Sequence, residues 1–320
     1  MEKKRVLRYL APNLVTLASL AFGMLAVGAA IDGYHADAAW FVIFSVLTDK
    51  LDGFVARLVK GASELGVQLD SFADFLNFGV APAVVWYAFL SRAGDLPFSS
   101  GIGELVLVVA CFFWVLAVTF RLARYNVVGS DPACRRVFFG VPTTLVGGTL
   151  MAFFLTCLKY GSADMQLQAR ASFVEPRLFT GLRLGPLVWE IWPALMMVGA
   201  FLMVSTVKVP KLGPFSRSRA LTVFVFANVL IGYAVGFARH MPEYLCLIAC
   251  LWIAGSLVWG QLSTAARGLK APAVFPRTDP PEGKMPSRPE EDIVVEEAPL
   301  DAAGSNGDES SSATTATAAR

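Results

Sequence analysis

Asp49-Lys-Leu-Asp52-Gly53-Phe-Val-Ala56-Arg57 and, shortly after, Gly66-Val-Gln-Leu-Asp70-Ser-Phe-Ala-Asp74 place four carboxylates and an arginine inside segments otherwise apolar enough to enter a bilayer. A charge in hydrocarbon is costly, so acids at such positions mark a function. On a helix, residues three, four or seven apart share a face. Asp49, Asp52, Gly53 and Ala56 therefore fall on one face of a helix, and Gly66, Asp70 and Asp74 on one face of the next. The connection 58–65 is short, which predicts antiparallel neighbours.

Depth follows from a rise of about 1.5 Å per residue. Counted from a helix end near Arg57, Asp52 lies about 7 Å down and Asp49 about 12 Å. Counted from Gly66, Asp70 lies about 6 Å down and Asp74 about 12 Å. The hairpin is thus predicted to pair Asp52 with Asp70 and Asp49 with Asp74. Four converging carboxylates repel one another unless a cation neutralises them. Carboxylate-rich sites suit hard ions such as Mg²⁺ or Mn²⁺, and two such ions roughly 4 Å apart are a recurrent way of holding phosphates. The predicted cofactors are therefore two divalent cations. Gly53, Ala56 and Gly66 beside the acids would let a bulky ligand approach the backbone, or else serve a close helix–helix contact, and Arg57 would meet a phosphate or reach up to the membrane interface.

The rest of the chain matches this picture. Its 320 residues are 55% hydrophobic and only 16% charged, with a mean hydropathy of +0.57. That excludes an ordinary soluble domain and predicts a polytopic, all-α membrane bundle. Apolar runs fall near 13–31, 37–57, 67–91, 103–120, 141–158, 187–206, 220–238 and 243–261, about eight transmembrane helices. The N-terminus has the basic-then-apolar pattern of a signal peptide, but so many runs follow that the first is read as a retained helix. Lys and Arg cluster before run one and after runs two, four, six and eight. By the positive-inside bias, both termini and the acids face the cytoplasm. The loop 159–186, with Lys159, Arg170, Arg177 and Arg183, runs against this pattern.

Residues 1–267 are assigned to the membrane domain. Residues 268–320 are rich in Pro, Glu, Ser, Ala and Thr and are read as a disordered cytoplasmic tail. From residue 271 onward ten acids stand against four bases, so residues 271–320 carry −6 and residues 1–270 carry +8. A basic membrane portion suits work beside anionic headgroups; no nucleic-acid partner is expected. The five cysteines have no metal-ligand spacing and are read as small buried apolar residues. Trp40, Trp86, Trp189, Trp192 and Trp259 lie near run ends and are expected as interfacial anchors. His35 and His240 flank loops away from the acids and are expected neither as ligands nor as bases.

The spacing Asp49-x2-Asp52-Gly53-x2-Ala56-Arg57-x8-Gly66-x3-Asp70-x3-Asp74 resembles the signature of the CDP-alcohol phosphotransferases. Further stretches are similar to the bacterial membrane-type phosphatidylserine synthases: Leu10-Ala-Pro12-Asn13-Leu-Val-Thr16, Asp70-Ser-Phe-Ala-Asp74 running on to Phe78-Gly79-Val-Ala-Pro82-Ala, Phe120-Arg121-Leu-Ala-Arg124-Tyr-Asn126, Phe139-Gly140-Val-Pro142, and more weakly Met203-Val-Ser205-Thr-Val-Lys208. Thr143-Thr144 after Pro142 departs from the Ser-Pro expected there.

The resemblance implies a six-helix core plus two helices. It also implies transfer of a phosphatidyl group from CDP-diacylglycerol to an alcohol, with release of CMP. By it, Asp49, Asp52, Asp70 and Asp74 hold two metals, and Asp74 is the general base. Gly53, Ala56, Arg57 and Gly66 line the CDP site, with Asn13 and Thr16, at the expected start of helix one, near the nucleotide or its phosphates; the alternative for Asn13 is that it caps that helix. Serine is the expected acceptor. Arg121 and Arg124 share a helix face and suit its carboxylate, with Asn126 and Lys208 as further contacts. Glycerol 3-phosphate or inositol phosphate are alternative acceptors, and a divalent-cation transporter is the alternative of another class. A bacterial inner-membrane homodimer is implied by analogy.

Overall fold

A computed structural model describes residues 2–59, 64–128, 137–173, 177–210, 219–263 and 268–272; side chains are described within these except at 2–12, 52–59, 64 and 219–226. Residues Met1–Val274 form one compact unit. The expected tail lies outside the described residues from 273 onward.

The unit is a helical bundle. Its helices are α1 (Glu2–Ile31), α2 (His35–Val59), α3 (Glu64–Asp74), α4 (Ala81–Leu90), α5 (Gly101–Val128), α6 (Thr143–Tyr160), α7 (Ala163–Gln168), α8 (Leu187–Glu190), α9 (Trp192–Val204), α10 (Arg219–Phe237) and α11 (Pro242–Leu262). A π-helical turn, Phe75–Val80, joins α3 to α4, so 64–90 runs as one helix. Each of the eight apolar runs falls on helix. Among the described residues, five helical stretches are long and apolar enough to cross a membrane: Asn13–Ile31, Leu65–Leu90, Gly101–Val128, Thr143–Tyr160 and Pro242–Leu262. Large apolar side chains point outward on α1 (Leu14, Met24), α5 (Ile102, Phe112) and α11 (Leu251, Leu262). This outward face suits acyl chains rather than water, and the protein is embedded in a membrane.

Three expectations are corrected. Helix one begins at Glu2, so Asn13 lies inside α1 and does not cap it; the basic segment before the apolar run is itself helical. The run at 187–206 is broken: α8 ends at Glu190, Ile191 separates it from α9, and Pro193 opens α9, where a missing N–H costs nothing. The bundle is all-α as expected, with one short strand pair beside the helices: Val137–Phe139 (β1) pairs antiparallel with Lys208–Pro210 (β2), Phe139 opposite Lys208. Finally, Trp86, Trp189 and Trp192 are at most 1% exposed and Trp40 is buried, so these four are core rather than interfacial anchors. Trp86 meets Trp114 edge-to-face with centroids 4.9 Å apart, and Trp192 stacks on Phe153 at 5.7 Å. Such pairs contribute about 0.5–1.5 kcal/mol beyond area burial.

The packing that positions the acids is simple. α1 lies along α2 and along the 64–90 helix, and α2 also meets the π-helical turn, α4 and α6. α1 ends because Gly33 is left-handed (φ +84°), which lets the Tyr34 N–H reach back to the Ala29 carbonyl at 2.8 Å. α6 is almost wholly buried at the centre. α5 covers the π-helical turn and packs on α9.

Candidate active site

Asp49, on α2, and Asp70 and Asp74, one turn apart on α3, each offer an oxygen, and these atoms all lie within 4.8 Å of one another. Asp49 and Asp74, the pair matched in depth from the sequence, thus meet across the two helices. The Asp49 carboxylate also accepts from Lys50 Nζ at 3.2 Å and from Thr144 Oγ1 at 3.4 Å. Lys50 is 60% exposed, so water screens it, whereas the Asp49 side chain is only 12% exposed. A single screened lysine does not balance three carboxylates at this separation. All three donors are hard oxygens, which is the chemistry a Mg²⁺ or Mn²⁺ ion selects. The residues present therefore fit a divalent cation. The side chains of Asp52, Gly53, Ala56 and Arg57 lie outside the described ones.

The remaining expected site residues divide. Gly66 is half-buried on α3, four residues before Asp70. Thr16 is buried on α1, and Asn13 is half-buried one turn before it. Arg121 is buried on α5, donates Nε–H to the Val141 carbonyl at 3.1 Å and interacts electrostatically with Asp74. Asn126, one and a half turns further on, donates Nδ2–H to Ser71 Oγ at 3.1 Å, beside Asp70. α5 thus brings a cation and an amide to the acids.

Arg124 does something else. Its guanidinium donates to the carbonyls of Phe139 (2.6 Å), Val204 (2.8 Å), Ser205 (3.2 Å) and Met203 (3.4 Å). It thereby ties the end of α9 to β1. Gly140 (φ +84°) completes this clamp, since a Cβ there would overlap the Met203 carbonyl and crowd the guanidinium. Lys208 is half-buried in β2. A cavity of about 90 Å³ lies between Arg121, Arg124, Phe138 and Thr206. Lysine lacks the planar fork that reaches several carbonyls. Arg124→Lys is therefore expected to destabilise the protein by about 1.5–3 kcal/mol, the range for hydrogen bonds to a charged group, read as a lowered melting temperature.

Residue spacing did not reveal Thr144, Ser71 or Asn77, a buried asparagine just below the acids. The signal for Thr144 was its position: it stands where the expected pattern has Pro, and a hydroxyl there reaches Asp49.

Comparison with known proteins agrees with this geometry. The CDP-alcohol phosphatidyltransferase family matches residues 9–204. A CDP-diacylglycerol–serine O-phosphatidyltransferase of Helicobacter pylori (strain J99) is 28% identical over 253 residues, 78% of this chain and 91% of the relative. The Mycobacterium tuberculosis (strain H37Rv) protein of the same name is 30% identical over 154 residues, 47% of this chain and 50% of the relative. The archaetidylserine synthase of Methanothermobacter thermautotrophicus is 32% identical over 161 residues, 49% of this chain and 63% of the relative. Outside the Helicobacter match at 91%, this chain therefore spans about half to two thirds of these relatives. The matched family segment takes in every acid of the cluster, and the chain belongs to the CDP-alcohol phosphatidyltransferase family.

Proposed function

We propose that this enzyme of phospholipid synthesis transfers the phosphatidyl group of CDP-diacylglycerol to L-serine, giving phosphatidylserine and CMP. The observation that carries the reading is the meeting of Asp49, Asp70 and Asp74 within 4.8 Å. The relatives' names supply the acceptor, since each names a serine product or substrate.

Asp49, Asp52, Asp70 and Asp74 would hold two divalent cations, Mg²⁺ or Mn²⁺. Bound there, the ions would neutralise pyrophosphate charge and stabilise the departing CMP. The serine hydroxyl oxygen forms the new bond to the phosphatidyl phosphorus, and the bond from that phosphorus to the CMP oxygen breaks. Asp74 takes the hydroxyl proton. Standing with Asp49 and Asp70, it would lie within reach of the attacking hydroxyl, which is the first requirement of a general base. Gly53, Ala56 and Gly66 leave room for the nucleotide. Arg57, Asn13 and Thr16 contact it or its phosphates. Arg121 receives the serine carboxylate and Asn126 its amine. Arg124, engaged with carbonyls, holds Arg121's surroundings in place, and Lys208 adds positive charge nearby. The site faces the cytoplasm of a bacterial inner membrane, with both termini on that side, in a homodimer.

CMP release by the purified protein in detergent tests the reading. Release is expected to require Mn²⁺ or Mg²⁺ and serine, to stop on chelation with EDTA and to return on adding back the ion. Release with glycerol 3-phosphate or inositol phosphate in place of serine would move the acceptor assignment and leave the chemistry. No release with any acceptor from folded protein, together with metal flux in proteoliposomes, would replace the enzyme by a transporter.

A further inference from the structure

The helix that carries Asp70 and Asp74 changes pitch immediately after Asp74. From Phe75 to Val80 it is π-helical, and the Ala81 N–H donates to the Leu76 carbonyl five residues back. Such a turn inserts a residue into the helical ladder. Everything before it is rotated by roughly 100° relative to an uninterrupted α-helix. The direction in which Asp70 and Asp74 point therefore depends on this turn being held.

Two contacts from other helices hold it. Trp114 of α5 donates its indole N–H to the Phe78 carbonyl at 3.0 Å. Asn77, 1% exposed, donates Nδ2–H to Ser19 Oγ of α1 at 2.9 Å. Ser19 in turn donates to the Ser45 carbonyl of α2 at 3.2 Å. Asn77 lies three residues beyond Asp74, and Ser45 four residues before Asp49. The three residues thus make a polar strut between the two acid-bearing helices, one turn beneath the carboxylates.

Packing alone does not account for Asn77. Its Oδ1 is buried without a hydrogen-bond partner, which is costly, and leucine would fill the space without that cost. Gly23 is shaped to the amide, because a Cβ there would overlap Asn77 Oδ1. Glycine is a poor choice within a helix, so α1 too is locally unfavourable in a way that admits this side chain. Two unfavourable choices meet at one hydrogen bond under the acids.

We propose that Asn77 is a positioning residue for the acid cluster: through Ser19 and the Ser45 carbonyl its amide sets the spacing of Asp49 and Asp74 on which cation binding depends. This rests on the reading of the acids as a divalent-cation site. Outer groups that orient metal ligands typically change metal affinity by about 10–100-fold when removed.

The experiment uses the full-length protein in detergent, with Mn²⁺ as the probe. Free Mn²⁺ is followed by electron paramagnetic resonance, alongside the Mn²⁺ concentration for half-maximal CMP release and the melting temperature. Asn77→Leu is expected to raise the Mn²⁺ dissociation constant and the half-activating concentration together, by about 10-fold or more. Saturating Mn²⁺ is expected to restore most of the rate. Gly23→Ala is expected to shift both in the same direction, although alanine is the better helix former. The double variant Ser19→Ala/Asn77→Leu should be no worse than Asn77→Leu, because both remove one strut. A role in folding alone would lower the melting temperature and leave the Mn²⁺ affinity of folded protein unchanged, and that result overturns the proposal. Should Asn77→Leu not fold, Ser19→Ala, which removes the strut with one oxygen, decides by the same readouts. Asp74→Asn separates the two levels. Unchanged Mn²⁺ binding in Asp74→Asn would remove the cation reading and the strut's role with it. Lost binding there, with wild-type affinity in Asn77→Leu, would overturn the positioning role alone.

Discussion

Asp74→Asn is expected to lower CMP release by about 10³-fold or more, because one atom exchange removes both the proposed proton acceptor and a proposed cation ligand. The variant has nearly the shape of the native residue, and its amide can still bond to Asp49. It also removes one charge from three carboxylates whose oxygens lie within 4.8 Å of one another, which relieves like-charge repulsion. Stability without added metal should therefore stay level or rise while activity collapses. That opposition of signs distinguishes a site selected for chemistry from one selected for packing. The stabilisation that Mn²⁺ or Mg²⁺ gives the wild type by binding the folded state should shrink in the variant. Melting curves with and without Mn²⁺, read beside the CMP assay, check both halves. Substantial activity in Asp74→Asn would remove Asp74 as the general base.

The second large effect lies at the other end of the bundle. Thr144, at the start of α6, touches Asp49, whereas Lys159 lies in its last turn, about 22 Å away along the helix. Lys159 and Glu243 are 2% and 0% exposed, with Nζ and Oε1 2.9 Å apart. Glu243 Oε1 also accepts from Tyr160 Oη–H at 3.2 Å and the Leu178 N–H at 3.0 Å, and Tyr160 Oη accepts from the Phe179 N–H at 3.0 Å. One carboxylate thus fastens α11 to the end of α6 and to the loop that follows it. Lys159→Met leaves that carboxylate buried and uncompensated, at a cost of about 3–5 kcal/mol. A fall in melting temperature on the order of 10 °C is expected. Lys159→Met/Glu243→Gln removes both charges and should recover a good part of the loss, the sign of direct coupling. The Mn²⁺ dependence of the folded fraction should not move. A melting temperature unchanged by Lys159→Met would mean that the pair contributes nothing to stability.

This network also shows where sequence reading stops. Lys159 read as one more base in a loop that spoiled the charge asymmetry. Its partner lies 84 positions away on α11, and no local pattern links the two. The same holds for the tryptophans. Trp86, Trp189 and Trp192 stand near run ends, where an indole commonly marks the interface, but the bundle closes over them there. Arg124 is instructive in another way. Its spacing from Arg121 was legible, yet the two take different partners: Arg121 donates to the Val141 carbonyl, while Arg124 is drawn to the carbonyls left at the end of α9 and in β1. Helix ends leave unpaired carbonyls, and an arginine within reach satisfies them.

The sequence by itself determined what depends on local period and composition. The 3.6-residue repeat puts Asp70 and Asp74 on one face, the short hairpin matches Asp49 to Asp74 in depth, and the apolar runs commit the chain to a membrane. Each is a relation between near neighbours, which a helix converts to distance with little freedom. The tertiary structure decided what depends on contact between helices. It placed Thr144 against Asp49, paired β1 with β2, buried the tryptophans, and set a π-helical turn beneath Asp74. Those relations arise from which faces pack together. Packing is a property of the whole bundle, in which a contact is settled by the shapes of partners remote in the chain.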